Sequence, residues 1–145
     1  MTIPQISVFL ENKFGRLNEI LSILNKENIH VVAATVADTS DYGILRLITS
    51  DQMRAYKLLR ANDVSANLND VFAITSDSCI EKFSETIECF TNAGISIEYM
   101  YAFLGRKEGK ALMVLKADDE EKTEKVLSEN NIPMIMYGST VKASE

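Results

Sequence analysis

Two stretches decide the reading of this chain: residues 5–49, QISVFLENKFGRLNEILSILNKENIHVVAATVADTSDYGILRLIT, and residues 71–115, VFAITSDSCIEKFSETIECFTNAGISIEYMYAFLGRKEGKALMVL. Laid over one another at a shift of 66 positions, they share one hydrophobic skeleton without a gap from residue 5 to about residue 49. Ile6 and Val8 fall on Phe72 and Ile74, and Leu17, Leu21 and Leu24 fall on Phe83, Ile87 and Phe90. Ile29 and Val31 fall on Ile95 and Ile97, and Gly43 falls on Gly109. Farther on, Leu59-Arg60-Ala61-Asn62 matches Leu127-Ser128-Glu129-Asn130 at a shift of 68. Identity is low, yet periodicity, turn positions and order agree, so the chain reads as one unit written twice.

Each copy predicts strand, helix, strand, strand, helix, strand. In the first, Gln5–Glu11 has strand length, Leu17, Ile20, Leu21 and Leu24 recur at helical spacing, and Ile29–Ala37 is β-branched. The turn residues from Asp38 to Gly43 lead into a strand over Ile44–Thr49. Asp51 is placed to cap a helix ending near Asn62, and Val64–Leu68 closes the unit. The second copy repeats the pattern: a strand over Val71–Ser76, a helix over Ser78–Ala93 with Gly94 as its stop, and a strand over Ile95–Leu104. A turn over Gly105–Gly109, a strand over Ala111–Lys116, a helix over Asp118–Asn130 and a last strand near Ile132–Tyr137 complete it. The βαββαβ order predicts an α+β fold of two tandem ferredoxin-like units, each an antiparallel sheet with helices on one face. The expected domains are residues 1–68 and 69–138, with a flexible tail over 139–145.

Strand patterning adds an expectation about assembly. In Ile95–Leu104, one face carries Ile95, Ile97, Tyr99, Tyr101 and Phe103, and the other Ser96, Glu98, Met100, Ala102 and Leu104. Strands Ile44–Thr49 and Ala111–Lys116 are likewise apolar on both faces, whereas a sheet with one wet face alternates more cleanly. A second copy covering the far face, a homodimer, is the simplest explanation.

Composition limits the partners. The 145 residues are 46% hydrophobic, as in a globular protein, and carry a net charge of −6. That charge repels phosphate backbones and argues against nucleic acid or an anionic membrane as partner. Apolar runs such as Ala111–Leu115 are too short to span a bilayer, and Met1–Gln5 lacks the features of a signal peptide, so a cytoplasmic location is expected. Cys79 and Cys89 fall in one expected helix, about 15 Å apart along its axis, beyond the ~7 Å Cα separation that a disulfide tolerates. With His30 as the one histidine and no close cysteine pair, neither a metal site nor a cofactor site is expected.

The loops narrow the function. The first strand ends in Glu11-Asn12-Lys13-Phe14-Gly15-Arg16-Leu17, directly before the first helix. This resembles the ligand loop of ACT domains, in which Asn or Asp, two residues, Gly, one residue and Leu join strand to helix. Gly94–Phe103 is similar to the second strand of tandem ACT proteins, some of which resemble the small regulatory subunit of acetolactate synthase. The likeness spans Gln5 to about Tyr137. It implies a non-catalytic sensor of a free amino acid, bound between ACT units, with the output read by a metabolic enzyme partner. The site it implies joins Glu11, Asn12, Lys13, Phe14, Gly15, Arg16 and Leu17 to Glu98, Tyr99, Met100 and Tyr101.

The residues support that chemistry on their own account. A helix N-terminus presents unpaired N–H groups and partial positive charge, which suit a carboxylate. Gly15 allows close backbone approach, and Asn12 offers both a donor and an acceptor. Leu17 is expected to anchor the helix in the core. The plainer alternatives are an N-cap at Asn12 and a tight turn at Gly15. The second copy has Ser78-Cys79-Ile80-Glu81-Lys82-Phe83 there, and an acid in place of glycine opposes a carboxylate, so one site per chain is expected.

Other features read as structural. His30 has no nucleophile at suitable spacing, Glu98 is either a ligand contact or a surface carboxylate, and Tyr99 and Tyr101 suit packing. The acids from Asp118 to Glu121 favour the start of a helix and are not read as a metal site. Phe14 and Met100 favour an apolar ligand side chain, while Glu11 and Glu98 favour a polar or cationic one. Two rivals share the fold. An acylphosphatase-like enzyme needs an anion cradle that Arg16 alone does not build, and an RNA-recognition module needs basic flanks. An ACT-fold structural or interaction subunit without ligand binding is the alternative that stays open.

Overall fold

The structure, a computed structural model, describes residues 2–11, 15–38, 42–77, 80–104 and 110–134. The chain divides into two compact units between Asn69 and Asp70, the second also taking in the first three residues. The expected turn at 105–109, the end of the last strand after Met134 and the tail lie outside the described residues.

The N-terminal unit holds β1 (Ile3–Glu11), α1 (Arg16–Lys26), β2 (Val31–Asp38), β3 (Tyr42–Thr49), α2 (Gln52–Ala61) and the start of β4 (Ala66–Asp77). β3 lies antiparallel between β2 and β1, and β4 lies on the other side of β1. Ile6, Val8, Leu10, Leu45 and Leu47 on the sheet close over Ile20 and Leu24 of α1 and Ala55 and Leu59 of α2. Leu17 is the exception: it is 37% exposed, so it is not the core anchor expected of it. Ile20 and Leu24, one and two turns farther on, make the burial instead.

The C-terminal unit holds the rest of β4, α3 (Ile80–Asn92), β5 (Ile97–Leu104), β6 (Lys110–Ala117) and α4 (Glu120–Glu129). β6 lies antiparallel between β5 and β4, and Met134 bridges to Ile74 on the far side of β4. Phe72, Ile74, Met113 and Leu115 pack on Phe90 of α3 and on Val126 and Leu127 of α4. Both units are thus ferredoxin-like, with two helices on one sheet face.

The repeat extends to backbone detail. The N-caps Asp51 and Asp119 accept from the Arg54 and Lys122 N–H groups at 3.2 and 3.0 Å. Asn62 and Asn130 each donate from their side-chain amide to the carbonyl four residues back, at 2.8 Å. Left-handed residues recur at matching places, Asn28 with Gly94 and Asp63 with Asn131, and a bulge at Val31/Ala33 recurs at Ile97/Tyr99. Those bulges break the strict alternation read from the sequence. Ile97 and Met100 both pack on the helix-side core, while Tyr99 and Tyr101 lie opposite Lys116 and Val114 on the other face.

A further expectation changes: the two separate strands expected over Val64–Leu68 and Val71–Ser76 run together as the single strand β4, which starts at Ala66. Asn69-Asp70 looks like a turn pair, but Asn69 accepts from the Ser7 hydroxyl and the Asp70 carbonyl from Lys116 Nζ at 3.4 Å, within an extended backbone.

Candidate functional site

The expected loop lies at the β1–α1 junction. Glu11 is the last residue of β1, pairs across with Tyr42 and is exposed. Asn12, Lys13 and Phe14 lie outside the described residues. Gly15 then takes φ 80° and ψ 0° as the N-cap of α1, a left-handed conformation that costs an L-residue about 1–2 kcal/mol. Space does not require the glycine, because a Cβ there would meet nothing within 4 Å. Conformation does.

A glycine N-cap brings no side-chain acceptor, and α1 has no side-chain cap. Its carbonyl accepts from Glu19 N at 3.0 Å, closing the first turn. The helices α2 and α4 differ, since Asp51 and Asp119 occupy their N-termini with carboxylates.

Arg16 stands at the first helical position. Its Nη1 donates to Glu19 Oε2 at 3.1 Å, which fixes one arm of the guanidinium. Its Nε is buried without a hydrogen-bond partner, an arrangement that native proteins rarely leave unsatisfied. The junction therefore sets a helix N-terminus, with its partial positive charge, next to a cation whose Nε has no hydrogen-bond partner.

The other expected segment lies on β5 of the C-terminal unit. Glu98 is exposed at the bulge, and Tyr99 and Tyr101 are half-buried on the face away from the helices. Met100 is half-buried against the core of that unit. Leu115 is its partner across the strands. His30 acts through its backbone, donating to Ser50 Oγ at 3.0 Å and accepting from Ser50 N at 2.8 Å. Ser96 makes the same pair of contacts with Asp118 in the second copy.

Two features were not read from the sequence. Phe9 and Tyr42 stack with ring centroids 4.6 Å apart, although they are 33 positions apart in sequence; only the register of β1 on β3 brings them together. Gln52 is buried and closes a polar network: it accepts from Thr49 N and Oγ1, both at 2.7 Å, and donates to the Pro4 and Leu47 carbonyls at 2.7 and 3.1 Å. The matching Glu120 is exposed. Among the described residues no cluster of three or more His, Cys, Asp or Glu is arranged to hold a metal, and no helix is long and apolar enough to cross a membrane.

Comparison with known proteins gives the same architecture. A family model described as an ACT domain pair matches residues 1–142. Among solved structures, a protein from Bacteroides thetaiotaomicron is similar at 36% identity and TM-score 0.87, over 93% of this chain and 92% of its own. The ligand-free regulatory subunit of aspartate kinase from Thermus thermophilus is similar at 13% identity and TM-score 0.58, over 87% and 91% of the two chains. That from Thermus flavus is similar at 15% identity and TM-score 0.55, over 87% and 90%. The two kinase subunits share the fold at these identities. No curated protein matches the chain.

Proposed function

The chain belongs to the ACT domain pair family, and from that premise we propose that it is a non-catalytic regulatory protein binding a free amino acid at the β1–α1 junction of its N-terminal unit. ACT domains are regulatory, amino-acid-binding folds. The observation that carries the reading here is the uncapped helix start at Gly15, next to an arginine with a buried, unused Nε. The amino acid's α-carboxylate takes the position that Asp51 and Asp119 fill at the other helices.

The regulatory output follows from linkage. A ligand that binds one arrangement of the protein more tightly shifts the population toward it, and a partner that distinguishes the arrangements reads the shift. The partner is an enzyme of amino-acid metabolism. The regulatory subunits of aspartate kinase, which share the fold, support that class.

A thermal-shift screen of the full chain against the twenty amino acids at millimolar concentration tests the proposal. At least one should raise the melting temperature, and Gly15→Asp should abolish the rise without unfolding the protein. If none of the twenty stabilises the chain, the sensor reading fails and the interaction-subunit reading replaces it.

A further inference from the structure

The two helix layers of the doubled unit have parted in charge. α1 and α2 carry five cations against one acid, a balance of +4, whereas α3 and α4 carry three lysines against seven glutamates, a balance of −4. Much of the change falls on the second helix of each unit. At the shift of 68, Glu120, Glu121, Glu124 and Glu129 of α4 fall on Gln52, Met53, Tyr56 and Ala61 of α2, none of them charged. In the N-terminal layer Arg16 pairs with Glu19 and Arg54 with Glu27, each at 3.1 Å, and Asp51 accepts its cap bond from Arg54 N. Lys26, Lys57 and Arg60 are exposed and have no ion partner among the described residues. The nearest other acids along the chain are Asp63, just after α2, and Glu11, at the end of the strand before α1. Leu17 and Met53, on the same two helices, are 37% and 36% exposed. In the C-terminal layer Lys125 lies 3.9 Å from Glu129, while Glu85, Glu88, Glu120 and Glu121 are exposed without an ion partner among the described residues.

We propose that the helix layer of the N-terminal unit is the docking surface for a second copy of this chain, which presents the helix layer of its C-terminal unit. Charge complementarity selects the occupant. A chain of net charge −6 repels its own copies, and the layer with a balance of +4 is where a copy's acids meet cations instead. Two N-terminal layers set face to face, or two C-terminal layers, bring like charges together and are disfavoured. Unlike layers attract, and each copy carries one of each, so the contact is reciprocal in kind. Exposed Leu17 and Met53 supply apolar contact within the charged surface, which charge pairs in water do not provide. This association is independent of amino-acid binding at the β1–α1 junction.

Sedimentation velocity of the full chain tests this, at about 20 mM and about 500 mM sodium chloride and up to about 100 μM protein. A dimer should form at low salt, and its dissociation constant should rise at least about tenfold at high salt. The sign of the salt effect separates surfaces. Salt screens the repulsion between two acidic chains, so a dimer joined through apolar sheet faces would tighten instead. Lys57→Glu with Arg60→Glu brings the N-terminal layer near neutrality, and Glu85→Lys with Glu88→Lys does the same for the C-terminal layer. Each double variant alone should self-associate at least about tenfold more weakly than the wild type. Mixed in equal amounts, the two should form a dimer again, because one keeps an intact negative layer and the other an intact positive one. All four positions are exposed, circular dichroism checks that the variants fold, and the salt dependence of the wild type stands without them. A chain that stays monomeric at low salt would overturn the proposal, as would a dimer that tightens with salt. So would folded double variants that dimerise like the wild type, or a mixture of the two that stays monomeric.

Discussion

The two strand-to-helix junctions begin from the same strand position and part within a few residues. In the N-terminal unit β1 ends at Glu11, and α1 starts only at Arg16, behind a left-handed glycine. In the C-terminal unit β4 ends at the equivalent Asp77, but α3 starts at Ile80, two residues earlier than the repeat would place it. Glu81, which replaces Gly15, is therefore helical. Glutamate favours a helix and resists the left-handed region, so one substitution both closes the gap and adds an acid. The duplicated fold tolerates either ending.

The same contrast appears where the second helix of each unit begins, and it supplies the largest expected effect. Gln52→Ala should destabilise the chain by about 3 kcal/mol, because it removes the bonds that the buried amide makes with Thr49 and with the Pro4 and Leu47 carbonyls. Glu120→Ala, at the matching exposed position, should cost less than about 0.5 kcal/mol. Urea melts of the two variants measure the difference, and equal costs would mean that the network contributes little.

Gly15→Ala comes next. It places no new atom in contact, so its cost, about 1–2 kcal/mol, reports the left-handed conformation alone. The converse change, Glu81→Gly, should cost up to about 1 kcal/mol through lost helix propensity. If Gly15→Ala were neutral, α1 would be able to start earlier, as α3 does, and the two junctions would differ in sequence but not in constraint. The smallest difference is expected where the units agree: Asp51→Ala and Asp119→Ala should each cost about 1 kcal/mol, within a few tenths of one another.

How much was legible follows the range of each interaction. The Asp51 cap, the Gly94 stop and the α1 and α3 core stripes involve residues within a turn or two of each other, and their spacing gives them away. The bulges at Val31/Ala33 and Ile97/Tyr99 do not follow from alternation, because a bulge is set by the partner strand. The second one sets Met100 on the same side as Ile97, where alternation placed them on opposite faces. The Asn69-Asp70 pair carries turn chemistry, yet contacts with Ser7 and Lys116, each more than forty positions away, keep it extended.

By itself the sequence determined that this is a doubled βαββαβ chain with a glycine before one helix and a glutamate inside the other. Hydrophobic period, capping residues and backbone preference are local quantities, and the repeat states each of them twice. Tertiary structure alone decided which apolar residues are core and which stand open. Leu17 is exposed and Met100 packed, and Phe9 meets Tyr42 only through strand register. Burial depends on what lies across the fold, and neighbours distant in sequence leave no mark on local spacing.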